Sequence, residues 1–246
     1  MTSAPVADQR RLLEVQDLDT RLDQLAHRRR TLPALARLTE LDAQVGDLYT
    51  ALVTSRTAAS DLRRELTKAE ADVAQVRTRA ARDQQRLEQG QVSAKDAQAL
   101  TSELESLARR QSDLEDVELE VMERLEAHES TLAELETAHA ALASDRAAVV
   151  AERDAGWAEV DAEADRVRAA REKTVAGLDE RLVALYERLR GQLGGRGAAP
   201  LRGNRCDGCR LELNPLDLEA IRARPEDAVV RCEECGRILV RLPANA

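Results

Sequence analysis

Leu38, Val45, Leu52, Ala59, Leu66, Val73, Ala80 and Leu87 stand seven residues apart, and polar residues dominate the positions between them. Three residues on from that row, Leu41, Leu48, Leu62, Ala69 and Val76 form a second apolar row, which Ser55 and Asp83 interrupt. Two apolar rows in strict heptads predict the seam of a left-handed coiled coil. The alanines in the seam let a partner helix approach closely. Val15, Leu18, Leu22, Leu25 and Leu32 carry the same spacing upstream, and Pro33 separates the two stretches. Proline lacks the N–H and clashes with the preceding turn, so a kink or break is expected near residues 30–34.

The first long helix is expected to stop at Gln89-Gly90, because glycine suits a helix end. Ser93-Ala94-Lys95-Asp96 reads as a capping box that starts the next helix, with Asp in place of Glu. That helix is expected to run to about Arg190, since no proline intervenes. Leu100, Leu107, Leu114, Val121, His128, Leu135, Leu142 and Val149 form one of its rows. The companion row mixes Leu104, Leu125 and Leu132 with Gln111, Glu118, His139, Arg146 and Arg153. The register weakens around Gly156-Trp157 and resumes one residue out of step through Val175, Leu178, Leu182, Leu185 and Leu189. Residues 6–89 would extend about 125 Å as helix and residues 94–190 about 145 Å. Nearly matched lengths with a short turn at 89–93 predict a mainly α fold, a long kinked antiparallel hairpin. The alternative is a parallel dimer of one very long helix, which Gly90 and the Ser93 cap oppose. His128 and His139 fall on the seam rows, so they read as polar positions that set register rather than as metal ligands.

Beyond the helices the pattern changes. Four glycines in residues 191–200 end the helix and read as a linker that leaves some swing. Cys206-Asp207-Gly208-Cys209 and Cys232-Glu233-Glu234-Cys235 follow, and they hold the four cysteines of the chain. A two-residue spacer lets two thiolates reach one metal ion from a tight turn, and two such turns supply the closed tetrahedral shell of a structural zinc site. Cys206, Cys209, Cys232 and Cys235 are therefore the expected ligands of one structural Zn²⁺. The competing reading, redox dithiols or a disulfide pair, lacks the βαβ pattern that would accompany it. Asn214-Pro215 should cap and open a short helix to Ala223, and 228–230 and 238–240 read as short strands. The domain organisation is then a helical hairpin over 1–190, a linker over 191–200 and a C-terminal zinc ribbon over 201–246.

Composition narrows the function. Aromatic residues make up 1% of the chain and charged residues 34%, which suits exposed helices better than a thick globular core. The net charge is −9, yet residues 181–210 hold seven arginines against Glu187 and Asp207. An acidic helical part with a basic neck restricts nucleic-acid contact to the surroundings of the ribbon. Arginine far outnumbers lysine, which we read as the coding bias of a GC-rich genome. No apolar run is long enough to span a membrane, and the N-terminus lacks the apolar core of a signal peptide. Reduced thiols on zinc fit the cytoplasm. No nucleophile–base, paired-carboxylate or phosphate-loop pattern stands out, so the chain reads as non-enzymatic, with no small-molecule substrate.

Arginines bracket the cysteine turns. Arg202, Arg205, Arg210, Arg231 and Arg237 are the candidate nucleic-acid contacts, by phosphate recognition, with RNA favoured over DNA. The ribbon carries no aromatic platform for bases, and Glu233 and Glu234 sit in the second turn. The run His27-Arg28-Arg29-Arg30 reads as a solvated helix face rather than a phosphate patch. The alternative function is a coiled-coil scaffold or chaperone-like regulator with a protein partner along the helices.

The helical hairpin, the basic linker, and Cys206-Asp-Gly-Cys209 followed by Cys232-Glu-Glu-Cys-Gly-Arg-Ile-Leu239 resemble the bacterial C4-type zinc-ribbon proteins with an N-terminal coiled coil. Val92 to Glu105 and Leu114 to Met122 are similar to that family's start of the return helix. The resemblance implies a kinked antiparallel hairpin with a C-terminal ribbon, and zinc on the same four cysteines. It also implies links to RNA binding, to an alternative sigma factor, or to flagellar or secretion machinery.

Overall fold

The computed structural model describes residues 2–90 and 92–242. Among these described residues, five helices and four strands follow one another: α1 (Val6–Arg30), α2 (Pro33–Glu88), α3 (Ala94–Val175), α4 (Glu180–Gln192), β1 (Ala198–Arg202), β2 (Arg205–Cys206), α5 (Pro215–Ala223), β3 (Val230–Arg231) and β4 (Ile238–Arg241). The chain divides into two compact units, Met1–Ala36 with Val150–Ala246, and Arg37–Val149.

The second unit is an antiparallel helical hairpin made of most of α2 and the first part of α3. Arg56 pairs with Glu136 at 2.7 Å, Arg63 with Glu129 at 2.6 Å and Arg77 with Glu115 at 2.6 Å. Each heptad step up α2 is matched by one down α3, so both helices belong to one chain and run in opposite directions. The seam follows the heptads: Leu38, Leu52, Ala59, Leu62, Ala69, Val73 and Val76 are buried against Leu107, Val121 and Val149 of the return helix. Ser55 and Asp83 are buried in the same seam, as their place in the heptad requires. His128 and His139 are half-buried seam positions, and the His139 ring lies 6.5 Å from that of Tyr49. Gly90 has φ +67°, and the Ser93 hydroxyl accepts from the Asp96 N–H at 3.2 Å, the first half of the capping box. The expected turn at 89–93 includes Gln91, which lies outside the described residues.

The first unit gathers α1, the last part of α3, α4 and the ribbon. Pro33 opens α2, and Thr31-Leu32 interrupt the helical path there. The break is matched on α3. Leu32 packs on Gly156, where a Cβ would come within 3.3 Å of its side chain. The Trp157 indole donates to the Arg29 carbonyl at 3.1 Å, taking one of the acceptors a helix end leaves open. The Arg29 and Arg153 guanidiniums each stand 4.7 Å from the Trp157 ring centre. His27 to Arg30 are all exposed, as a solvated face should be, with Arg29 also paired to Asp161.

The expectation of continuous helix to Arg190 does not hold. α3 ends at Val175 and α4 begins at Glu180. Gly177 takes φ +102°, and Asp179 caps α4 by accepting from the Leu182 N–H at 2.9 Å. Helix α1 satisfies the groups this break exposes. Arg11 donates to the Thr174 carbonyl at 2.8 Å, and Asp8 accepts from the Asp179 N–H at 3.0 Å.

The four strands form one sheet in the order β2-β1-β4-β3, with β1 parallel to β4 and both outer pairs antiparallel. Its two faces feed separate cores, as the period-2 alternation of strands demands. Ala198, Ile238 and Val240 face Leu12 and Val15 of α1 and Leu182, Tyr186 and Leu189 of α4. Ala199, Leu201 and Leu239 face Leu213, Leu218 and Ile221 together with Cys206 and Cys232.

The expected swinging linker is therefore not free. Ala198 to Pro200 are the first half of β1. Gln16, buried on α1, uses its side-chain amide as an extra strand. Its Oε1 accepts from the N–H groups of Gly197 at 2.8 Å and Ala198 at 3.3 Å, and its Nε2 donates to the Gly195 carbonyl at 3.1 Å. Gln9 does the same for the chain start, donating to Ala4 O at 2.9 Å and Asp227 O at 3.0 Å.

Candidate metal centre and the basic clefts around it

The cysteine turns are two copies of one local motif. In the first, the Arg210 N–H donates to the Cys206 carbonyl at 2.7 Å, and the Cys206 N–H to the Leu211 carbonyl at 3.1 Å. In the second, the Gly236 N–H donates to the Cys232 carbonyl at 2.8 Å, and the Cys232 N–H to the Arg237 carbonyl at 2.9 Å. The residue after the second cysteine has a left-handed backbone in both, φ +66° at Arg210 and +74° at Gly236. The residue before the first cysteine clamps each turn: Arg205 Nε donates to Arg210 O at 2.8 Å, and Arg231 Nε to Gly236 O at 2.7 Å.

The motif brings the four thiols together. Their sulfurs lie within 4.8 Å of one another, with 3.9 Å between Cys206 and Cys235 and between Cys209 and Cys232. Zn–S bonds of about 2.3 Å give a tetrahedron with edges of about 3.8 Å, so the set fits one zinc ion. Four thiolates fill the shell and make a structural site, in which zinc supplies folding energy to the ribbon. Burial pushes the Cys232 thiol up to about 12 and raises that of Cys206, against backbone N–H groups of their own turns that favour the thiolate. Cys235 is also penalised by burial, but the backbone N–H and guanidinium of Arg237 prevail and lower it to about 7.

The five arginines named from sequence fall into two groups. Arg231 and Arg237 are turned onto the ribbon itself. Arg237 donates to Arg196 O and Leu193 O, both at 3.1 Å, tying the second turn to the end of α4. Arg205 also serves its own turn, yet it lines a cleft with Arg196, Arg202 and Arg210. This cleft encloses about 650 Å³, and Leu13, Asp17, Pro200 and Asp207 also line it. Arg202 pairs with Asp207 at 2.7 Å. Among the described residues, neither Arg196 nor Arg210 forms an ion pair. Of the other neck arginines, Arg190 is held by Asp23 at 2.9 Å and Asp19 at 3.5 Å, while Arg181 and Arg188 line a separate shallow hollow with Thr2 and Ser3.

Sequence reasoning missed the buried polar group that joins the helices. Asp19 is 1% exposed. It accepts from Arg171 at 2.6 Å and from the Tyr186 hydroxyl at 2.7 Å. Burial, then the bond to Asp19, holds the Tyr186 hydroxyl well above its ordinary range. The bond to Asp19 likewise raises Arg171. Only the spacing of Gln9, Gln16 and Asp19 on the apolar stripe of α1 signals this role.

Two family profiles match this arrangement: a CT398-like coiled-coil hairpin domain over residues 15–194, and a C4-type zinc ribbon domain over residues 205–239. The chain belongs to the CT398-like coiled-coil hairpin family and binds zinc through a C4 ribbon. It is 41% identical to the uncharacterized protein Rv2229c of Mycobacterium tuberculosis (strain H37Rv) over 239 residues, 97% of each chain. A solved structure from Mycobacterium smegmatis superposes with a TM-score of 0.88 at 37% identity, covering 98% of this chain and 100% of that one. CT398 of Chlamydia trachomatis shares the fold, with a TM-score of 0.72 at 20% identity over 96% of this chain and 98% of that chain. Among the described residues, no helix is long and apolar enough to cross a membrane.

Proposed function

We propose that this protein is a non-enzymatic, cytoplasmic adaptor whose zinc ribbon contacts the backbone of nucleic acid, RNA in preference to DNA. The observation that carries the reading is the cleft lined by Arg196, Arg202, Arg205 and Arg210 beside the first cysteine turn, in a chain that is otherwise acidic. Guanidiniums in a concave cleft suit phosphate oxygens, and the acidity of the helical hairpin disfavours the polymer there. Arg231 and Arg237 support this interface by holding the second turn. Phosphate contacts release counterions, so affinity should fall steeply with salt and depend little on sequence.

The test is a titration of the zinc-loaded chain with RNA and DNA at two salt concentrations, for the wild type and for Arg196→Glu, Arg202→Glu and Arg210→Glu combined. Arg205 is left in place because it clamps its turn. Salt-sensitive binding that the variant loses supports the reading, whereas equal binding by the variant removes the cleft from the mechanism. Val117, Leu119 and Met122, which are 48%, 55% and 47% exposed on the hairpin, favour the second reading, a scaffold for a protein partner. Absence of binding to either polymer at low salt would leave that reading standing.

A further inference from the structure

A second arginine-lined cleft of the first unit lies outside the neck. It lies where the start of α1 meets α5 and the end of β1, and it encloses about 660 Å³. Among the described residues, Arg10, Arg202, Arg222, Arg224 and Arg241 line it together with one carboxylate, Glu226. Arg241 is committed to the fold. Its guanidinium donates to five backbone carbonyls, including Ile221 at 3.2 Å and Pro225 at 2.7 Å, and so closes the end of α5. Arg222 makes one long bond, 3.5 Å to Gly203 O. Among the described residues, Arg10 and Arg224 form no ion pair, and both are exposed. The first turn of α1 opens on the same cleft through Val6, and no side chain caps that helix start. Asp8 in that first turn offsets the positive end of the helix dipole, so the arginines carry the charge of the cleft.

Arg202 and Leu242 line both this cleft and the neck cleft, so the two are neighbours across the end of β1. Arginines line both, and half-buried Val6 and Leu242 are the apolar side chains that this one leaves partly open. A rigid duplex presents its phosphates on a convex surface and keeps its bases stacked inside. A single strand can follow two adjoining hollows, set its phosphates on the arginines and stack its bases on guanidinium planes.

We infer that the α1–α5 cleft is a second station on one single-strand nucleic-acid track, seated by Arg10, Arg222 and Arg224 and reached over Arg202 from the neck. This rests on the nucleic-acid reading proposed above and deepens it. Helix α1 becomes part of the interface, and the preferred substrate is unpaired.

The test compares fluorescently labelled oligouridylates, one long enough to cover both clefts and one that covers only one. Each is titrated against the full zinc-loaded chain by anisotropy. Combining Arg10→Gln, Arg222→Gln and Arg224→Gln should weaken the long oligomer by about tenfold or more at low salt. It should also flatten the slope of log affinity against log salt by about two, the share of three phosphate contacts on a single strand. The short oligomer should keep its affinity. Lysines at the same three positions should restore most of the long-oligomer binding. Zinc content and helicity verify that each variant is folded. Unchanged affinity and slope for the long oligomer would overturn the inference while leaving the neck reading intact. Full binding by the neck variant, which also changes Arg202, would overturn the neck reading and with it the continuous track. A duplex competing as well as the single strand would overturn the single-strand assignment, and no binding by the wild type would overturn both readings.

Discussion

The Tyr186 hydroxyl donates to the Asp19 carboxylate at 2.7 Å, in a pocket where Tyr186 is 0% exposed. Removing that hydroxyl leaves a buried carboxylate short of a donor. Tyr186→Phe should cost about 1–3 kcal/mol. Asp19→Ala should cost about 3 kcal/mol, because it leaves the buried Tyr186 hydroxyl without its acceptor and takes from Arg171 one of its two carboxylates, Glu187 remaining. Urea denaturation of the zinc-loaded protein measures both. A neutral Tyr186→Phe would mean that Arg171 and Arg190 alone satisfy Asp19.

Gln16 is the contact that turns the expected linker into strand. Gln16→Leu keeps the apolar volume but leaves the N–H groups of Gly197 and Ala198 and the carbonyl of Gly195 without their side-chain partner. Hydrogen exchange at Gly197 and Ala198 should quicken, with a loss of about 1–3 kcal/mol. Amides as well protected as in the wild type would show that the pairing of β1 with β4 suffices.

Arg210 holds φ +66° at the position where the second turn has Gly236. A side chain in the left-handed region costs about 1–2 kcal/mol, which the flexibility of glycine in the unfolded chain partly offsets. Arg210→Gly should therefore raise the thermal stability of the ribbon by about 0.5–1 kcal/mol. It should also weaken nucleic-acid binding, since the guanidinium is lost. Opposite movement of the two readouts distinguishes a residue kept for binding from one kept for structure.

Zinc uptake should release protons and weaken as the pH falls. Burial holds Cys232 near 12 and raises Cys206, so both are protonated thiols at neutral pH until the metal displaces the proton. Without metal, these raised values favour the folded ribbon below the ordinary thiol range. That contribution should be lost as the pH climbs through them. Calorimetry in buffers of different ionisation enthalpy counts the protons. Arg231→Ala, which removes the clamp on Gly236 O, should lower zinc affinity by about 10–100-fold, the usual cost of losing support for a ligand.

The chain itself determined the elements whose cause is local or periodic. Leu38 to Leu87 mark the hairpin seam because a heptad row can bury itself only against a matching row. Asn214-Pro215 mark the start of α5 because the cap is made within the turn, with the Asn214 side chain accepting from the Leu216 N–H at 3.0 Å. The four cysteines declare their ligand set because a two-residue spacer is the reach of one turn. The break at Gly177 was written in the sequence as a glycine followed by the capping Asp179, but it was masked by the absence of proline. Only the tertiary structure decided what lies far apart in sequence. Gln16 meets Gly197, Asp19 meets Tyr186, and Arg10 meets Arg222 and Arg224 across one cleft. A polar residue on an apolar stripe looks like a defect until the buried partner it satisfies is in place. An arginine looks equally free in sequence whether it clamps its own turn, as Arg231 does, or faces solvent, as Arg224 does. The difference is a carbonyl 2.7 Å away, set by the path of the backbone and not by composition.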